Sequence, residues 1–134
     1  MSARMRTSVA VLAAAGALAL PTTPAAAEGV GTTAVTWSVS LGTAKAEGTR
    51  RFEGTSLVAE GRLSNTGPGC YSVWTQVTHD FVPGPAVRNA TLCGPGAVDV
   101  LVRRDYWLPT MTGRITVCEG SANTATCAPW KSLV

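Results

Sequence analysis

Cys118 and Cys127 stand nine positions apart around the small, polar segment EGSANTAT. Together with Cys70 and Cys93 they are the four cysteines of the chain. The intervening gaps are 22, 24 and 8 residues. A structural zinc site wants tight ligand pairs such as C-x2-C, and thioredoxin-like chemistry wants C-x-x-C. Neither spacing occurs, so no metal and no redox centre is expected. An even cysteine count in a short exported chain reads instead as two disulfides. Four cysteines allow three pairings. Hairpin geometry favours Cys70–Cys93 and Cys118–Cys127, because opposed Cα atoms of antiparallel strands lie about 4.5–5.5 Å apart, within disulfide reach. In each case the intervening segment holds turn residues, Val82-Pro83-Gly84-Pro85 in the first.

Export itself is read from residues 1–27. Arg4 and Arg6 precede the apolar run VAVLAAAGALAL, Pro21 and Pro24 end it, and Ala25-Ala26-Ala27 offers small residues for cleavage. That order of charge, apolar core and A-x-A is a secretory signal. The run is too short for the ~20 residues of a membrane-spanning helix. The expected mature chain is residues 28–134, a single secreted domain with no membrane span and no expected oligomer. Taking Arg4 and Arg6 from the 11 basic side chains leaves nine against eight acidic ones. Only Arg50-Arg51 and Arg103-Arg104 are adjacent pairs, so the clustered basic stripe of a nucleic-acid binder is missing.

Hydrophobic residues in this part recur with a period of two. Val35, Trp37, Val39 and Leu41 alternate with Thr36, Ser38 and Ser40, and Val98, Val100 and Val102 with Asp99, Leu101 and Arg103. Such runs, bounded by Gly, Asn, Ser or Pro, are short strands joined by turns. The pattern predicts about seven strands, over 33–41, 44–53, 56–64, 70–79, 87–93, 97–104 and 113–119, with 126–132 an eighth. The expected fold is all-β, an antiparallel β-sandwich with immunoglobulin-like connections and two disulfides; a small β-barrel is the alternative.

Catalytic patterns are scarce. The single histidine, His79, has Asp80 beside it, but strand neighbours point to opposite faces and this aspartate cannot orient it. No G-x-S-x-G elbow is present. The acidic residues, among them Glu53, Glu60 and Asp105, show no sign of the paired, desolvated arrangement of a glycosidase. Asn89-Ala90-Thr91 fits the glycosylation sequon. Aromatic residues are the better lead. Trp37 shares parity with Val35 and Val39 and reads as core, whereas Trp74 shares parity with Ser72, Gln76 and Thr78 and reads as outward-facing. Tyr106 and Trp107 fall at a strand end, and Trp130 is placed over the core near the carboxyl end. Exposed Trp and Tyr stack on sugars or anchor protein partners.

Val102-Arg103-Arg104, then a valine strand into Cys118 and a short return to Cys127, is similar to the second half of neocarzinostatin-type chromoproteins. Those are small exported immunoglobulin-like sandwiches with two local disulfides that carry a chromophore and catalyse nothing. The resemblance implies a cleft for a small molecule; the first cysteine pair is set wider here than in that family. In size and disulfide number the chain is also similar to secreted inhibitors of the subtilisin-inhibitor type. The expected function is therefore a non-enzymatic binding module with no cofactor, engaging a cell-surface glycan or an extracellular protein through Trp74, Tyr106 and Trp107. A serine-protease inhibitor presenting the 105–112 loop and a small-molecule carrier are the alternatives.

Overall fold

The computed structural model describes residues 33–105 and 110–134. The signal segment and the aromatic pair Tyr106 and Trp107 lie outside the described residues. Among the described residues nine strands follow one another: β1 (Val35–Leu41), β2 (Ala44–Glu53), β3 (Ser56–Asn65), β4 (Cys70–His79), β5 (Val82–Pro83), β6 (Val87–Cys93), β7 (Gly96–Asp105), β8 (Met111–Glu119) and β9 (Lys131–Ser132). No helix occurs among the described residues, so none is long and apolar enough to cross a membrane.

The strands form two antiparallel sheets, β1-β2-β3-β7 and β5-β4-β8-β9, with β6 also paired to β4. Two separate sheets make a sandwich, and the barrel alternative is set aside. The chain crosses from β3 to β4, returns to β7 beside β3, and crosses again to β8 beside β4. This interlocking of two strands from each sheet is the immunoglobulin-type connection. The seven long strands lie where the alternation predicts them. The expected 126–132 strand shrinks to a bridge at Cys127 and to β9, since Pro129 has no N–H to donate to a ladder.

Inward residues of both sheets meet in one core. Trp37, Leu57, Ala59, Leu63, Val100 and Val102 come from the first sheet, and Tyr71, Val73, Ile115 and Val117 from the second. In mid-sheet the register sets Trp37, Gly48, Gly61 and Val100 in one row. The facing backbones of β2 and β3 run so close there that a Cβ on Gly48 would lie 1.9 Å from the Glu60 carbonyl oxygen. At the end of β3, Asn65 is buried and gathers several turns: its amide nitrogen donates to the carbonyls of Gly67, Gly69 and Gly94, and its oxygen accepts from Thr43 Oγ1 and the Gly67 N–H.

Both disulfides join directly opposed residues, Cys70–Cys93 and Cys118–Cys127, each with Cα atoms 3.9 Å apart, and no free cysteine remains among the described residues. Such crosslinks belong to an oxidising environment. They close loops with sequence separations of 23 and 9. Chain entropy then predicts that replacing the first pair by alanine costs about 3.4 kcal/mol and the second about 2.7 kcal/mol. Urea unfolding of the two double variants should rank them in that order.

The outer face of the second sheet is itself covered. Residues 119–130 fold back across it: the Ser72 hydroxyl donates to the Gly120 carbonyl at 2.6 Å, the Thr116 hydroxyl to Ala128 at 2.8 Å, and the Ala128 N–H to Val117 at 2.9 Å. Ser72, Thr116 and Cys118 are thereby fully buried although they point away from the core. Trp130 lies on this outer layer, its ring 4.6 Å from the Arg114 guanidinium, and Leu133 rather than Trp130 fills the core near the carboxyl end. Arg114 projects outward from β8, so its cation–π partner is drawn to the same side.

The long hairpin after β4 turns earlier than Val82–Pro85. His79 pairs with Val82, which leaves Asp80-Phe81 as a two-residue turn with φ of 46° and 68°. Positive φ at both positions is the type I′ geometry that suits right-twisted strands. Phe81 adopts it without being glycine, and its ring is 98% exposed, so no packing offsets the strain. Phe81→Gly is expected to stabilise the fold by about 1 kcal/mol, read as a higher urea midpoint.

Candidate functional site

The hairpin also creates a cleft. Pro83 and Pro85 cannot donate to a ladder, and pairing with β4 lapses between Pro83, opposite Thr78, and Val87, opposite Thr75. The intervening segment bows away, held by the Gly84 N–H on the Val77 carbonyl at 2.8 Å and by Gln76 Nε2 on the Gly84 carbonyl at 2.7 Å. Between it and the end of β7 lies a space of about 250 Å³. Thr75, Val77 and His79 of β4 line one wall; Gly84, Pro85 and Val87 line the bowed segment; Arg104 and Asp105 of β7 and Met111 of β8 close the rest. Most of that lining is apolar, and its size is just under the usual range of small-molecule pockets, ~300–1,000 Å³.

Strand parity accounts for the wall. Thr75, Val77 and His79 continue the inward row begun by Tyr71 and Val73, and Arg104 continues the inward row Val98, Val100, Val102. Arg104 thus enters the sandwich end as a half-buried cation. Its neighbour Arg103 has the opposite parity and faces solvent, so the two adjacent arginines serve different faces of β7. Thr75 is 3% exposed and accepts a hydrogen bond from Asn89 Nδ2 at 2.8 Å. Asn89 Nδ2 also donates to the Val87 carbonyl, so the amide of the sequon is spent within the β4–β6 bulge.

On the outside of the first sheet Glu47, Glu53, Glu60 and Asp99 are paired with cations. Arg51 pairs with Glu53 and Glu60, and Arg103 with Glu53. Hydrogen bonds from Arg51 hold both carboxyls below the usual carboxylate range. A general acid requires the opposite shift. Because these pKa values are depressed in the fold, the pairs stabilise it above the ordinary carboxylate range and lose that effect as pH falls through the folded values. No group of three or more His, Cys, Asp or Glu side chains among the described residues is arranged to hold a metal ion.

Trp74 lies on the outer face of β4, opposite Thr116 and Arg88 in the register. It is half-buried, and its Nε1 donates to Ser72 Oγ at 2.8 Å. The ring is therefore seated in the outer layer rather than standing free. The described part of the 105–112 segment is mostly strand: Asp105 ends β7, while Met111 and Thr112 open β8, with Met111 buried. A second, wider groove of about 630 Å³ along β1 and β2 is lined mainly by polar side chains such as Ser38, Lys45, Glu47 and Lys131. The Trp37 indole N–H beside it is buried and has no hydrogen-bond partner among the described residues.

No protein-family model, curated protein or solved structure matches the chain. The chromoprotein resemblance thus carries no family assignment, and function rests on the site alone.

Proposed function

We propose that this chain is a secreted, non-enzymatic carrier that holds a small, largely apolar molecule in the cleft between β4, the bowed 84–87 segment and the end of β7. The observation that carries the reading is the cleft itself: a filled interior would leave a sandwich of this kind nothing but its surface, and here about 250 Å³ with apolar walls is open at one end. Two disulfides fit a protein that works outside the cell. The seating of Trp74 weighs against a glycan platform built on that ring, since stacking wants an exposed face. The strand placement of Met111 and Thr112 likewise shortens any loop offered to a protease.

The uncharged fluorophore N-phenyl-1-naphthylamine tests the reading. We expect saturable binding by one molecule per chain, with amide shifts at Thr75, Val87 and Met111. Val87→Trp, which sets an indole at the rim, should weaken it at least tenfold. Absence of saturable binding, or binding that Val87→Trp leaves unchanged, overturns the carrier.

A further inference from the structure

Resting on that carrier reading, we infer that the ligand is an apolar acid, an aromatic or aliphatic body bearing one carboxylate that Arg104 receives. The argument starts from how the arginines are partnered. Arg51, Arg62 and Arg103 pair with carboxylates, Arg50 lies over Phe52, Arg88 donates to the Ser121 carbonyl, and Arg114 serves Gln76 and Trp130. Arg104 is the one arginine that meets no hydrogen-bond, ion-pair or cation–π partner among the described residues, and it is the one that lines the cleft. A half-buried guanidinium costs desolvation unless something with complementary charge meets it, and its planar fork matches a carboxylate in two parallel hydrogen bonds.

The other polar groups of the cleft point the same way. Thr75 Oγ1 accepts from Asn89, which leaves its own O–H without an acceptor among the described residues. Thr75 is 3% exposed and lines the cleft, so its rotatable O–H is available to a molecule held there. His79 brings an imidazole N–H to the mouth. Arg104 and the Thr75 hydroxyl can both donate, and Asp105, exposed at the rim, is the one carboxylate in the lining. Val77, Val87, Pro85 and Met111 leave an apolar slot for the rest of the molecule. A neutral hydrocarbon would leave the guanidinium and the Thr75 hydroxyl unanswered, and a cation would meet Arg104 directly.

The decisive comparison uses 4-phenylbutyrate and its uncharged amide, titrated into the purified protein and followed by amide shifts and calorimetry. The acid is expected to bind in the cleft at least tenfold more tightly than the amide. In Arg104→Gln the acid should lose at least tenfold while the amide binds as before, which also reports that the variant is folded. Asp105→Asn, removing the one rim carboxylate, should strengthen the acid about twofold. Equal binding of acid and amide, or an acid advantage that survives Arg104→Gln, overturns the assignment. If neither binds while N-phenyl-1-naphthylamine does, the carrier stands and the acid falls. If none of the three binds, the carrier reading itself has failed.

Discussion

Alanine at Gly48 or at Gly61 is expected to destabilise the protein by about 3 kcal/mol or more, among the larger effects a single methyl group can have. A Cβ at Gly48 would stand 1.9 Å from the Glu60 carbonyl oxygen and 2.6 Å from Gly61 Cα, and a Cβ at Gly61 would stand 2.1 Å from the Glu47 carbonyl oxygen. These are backbone atoms of paired strands, so no side-chain rotation relieves the contact. β2 and β3 would have to part at the centre of the sheet, breaking ladder hydrogen bonds and displacing Trp37 and Val100 from the row they share with the two glycines. The double variant should cost less than the sum of the single ones, because the first substitution already opens the space the second needs. Urea midpoints of the three variants check both statements; single-variant losses below about 0.5 kcal/mol, the range of ordinary surface changes, would refute the first.

Asn65→Ala carries the second large expectation. The side chain binds the carbonyls of Gly67, Gly69 and Gly94 at 2.9, 2.9 and 3.0 Å, and accepts from Thr43 Oγ1 at 2.7 Å and from the Gly67 N–H at 3.1 Å. It is 3% exposed, so water cannot take over these bonds. Each buried polar group left unsatisfied costs about 1–3 kcal/mol, and a loss of at least about 3 kcal/mol follows for the set. Asn65→Asp separates donor from acceptor roles. It keeps the oxygen that Thr43 and Gly67 use, but turns a carboxyl toward three carbonyls. That carboxyl must titrate above its unfolded value, so the penalty is present at neutral pH, shrinks as pH falls through the folded pKa, and is smallest below the unfolded one. Asn65→Asp should therefore gain on Asn65→Ala as the medium is acidified toward about pH 4. Parallel unfolding curves for the two variants at both pH values would contradict this account of the network.

Alternation made the strands legible because each sheet has one face on a common core, and a period of two leaves little choice of register face. Trp37 followed from the same parity, and the disulfide partners from the geometry of the hairpins that hold them. What lay beyond reach came from tertiary causes. Gly61 sits in the inward row Leu57, Ala59, Gly61, Leu63 and reads there as merely small, whereas its role comes from the strand facing it. The turn at Asp80-Phe81 has no glycine to announce it, and the more conspicuous Val82–Pro85 acts by breaking the ladder instead. The cleft joins residues from β4, the bowed segment, β7 and β8, and no local window contains it. Ser72 and Thr116 carry the clearest lesson: polar residues on an outward parity are predicted to be wet, yet residues 119–130 cover them.

That covering segment has a mechanical consequence. A pull on the carboxyl end would first peel β9, whose two residues pair with Arg114 and Ile115. It would next lift residues 128–130, and then meet Cys127. There the tension passes through sulfur into Cys118 of β8, which stays paired along its length with β4. Extension beyond that point requires parting β8 from β4 along its whole ladder, so a tether fixed at this terminus, or a protease that threads its substrate from it, would meet its main resistance where one covalent bond hands the load to that ladder.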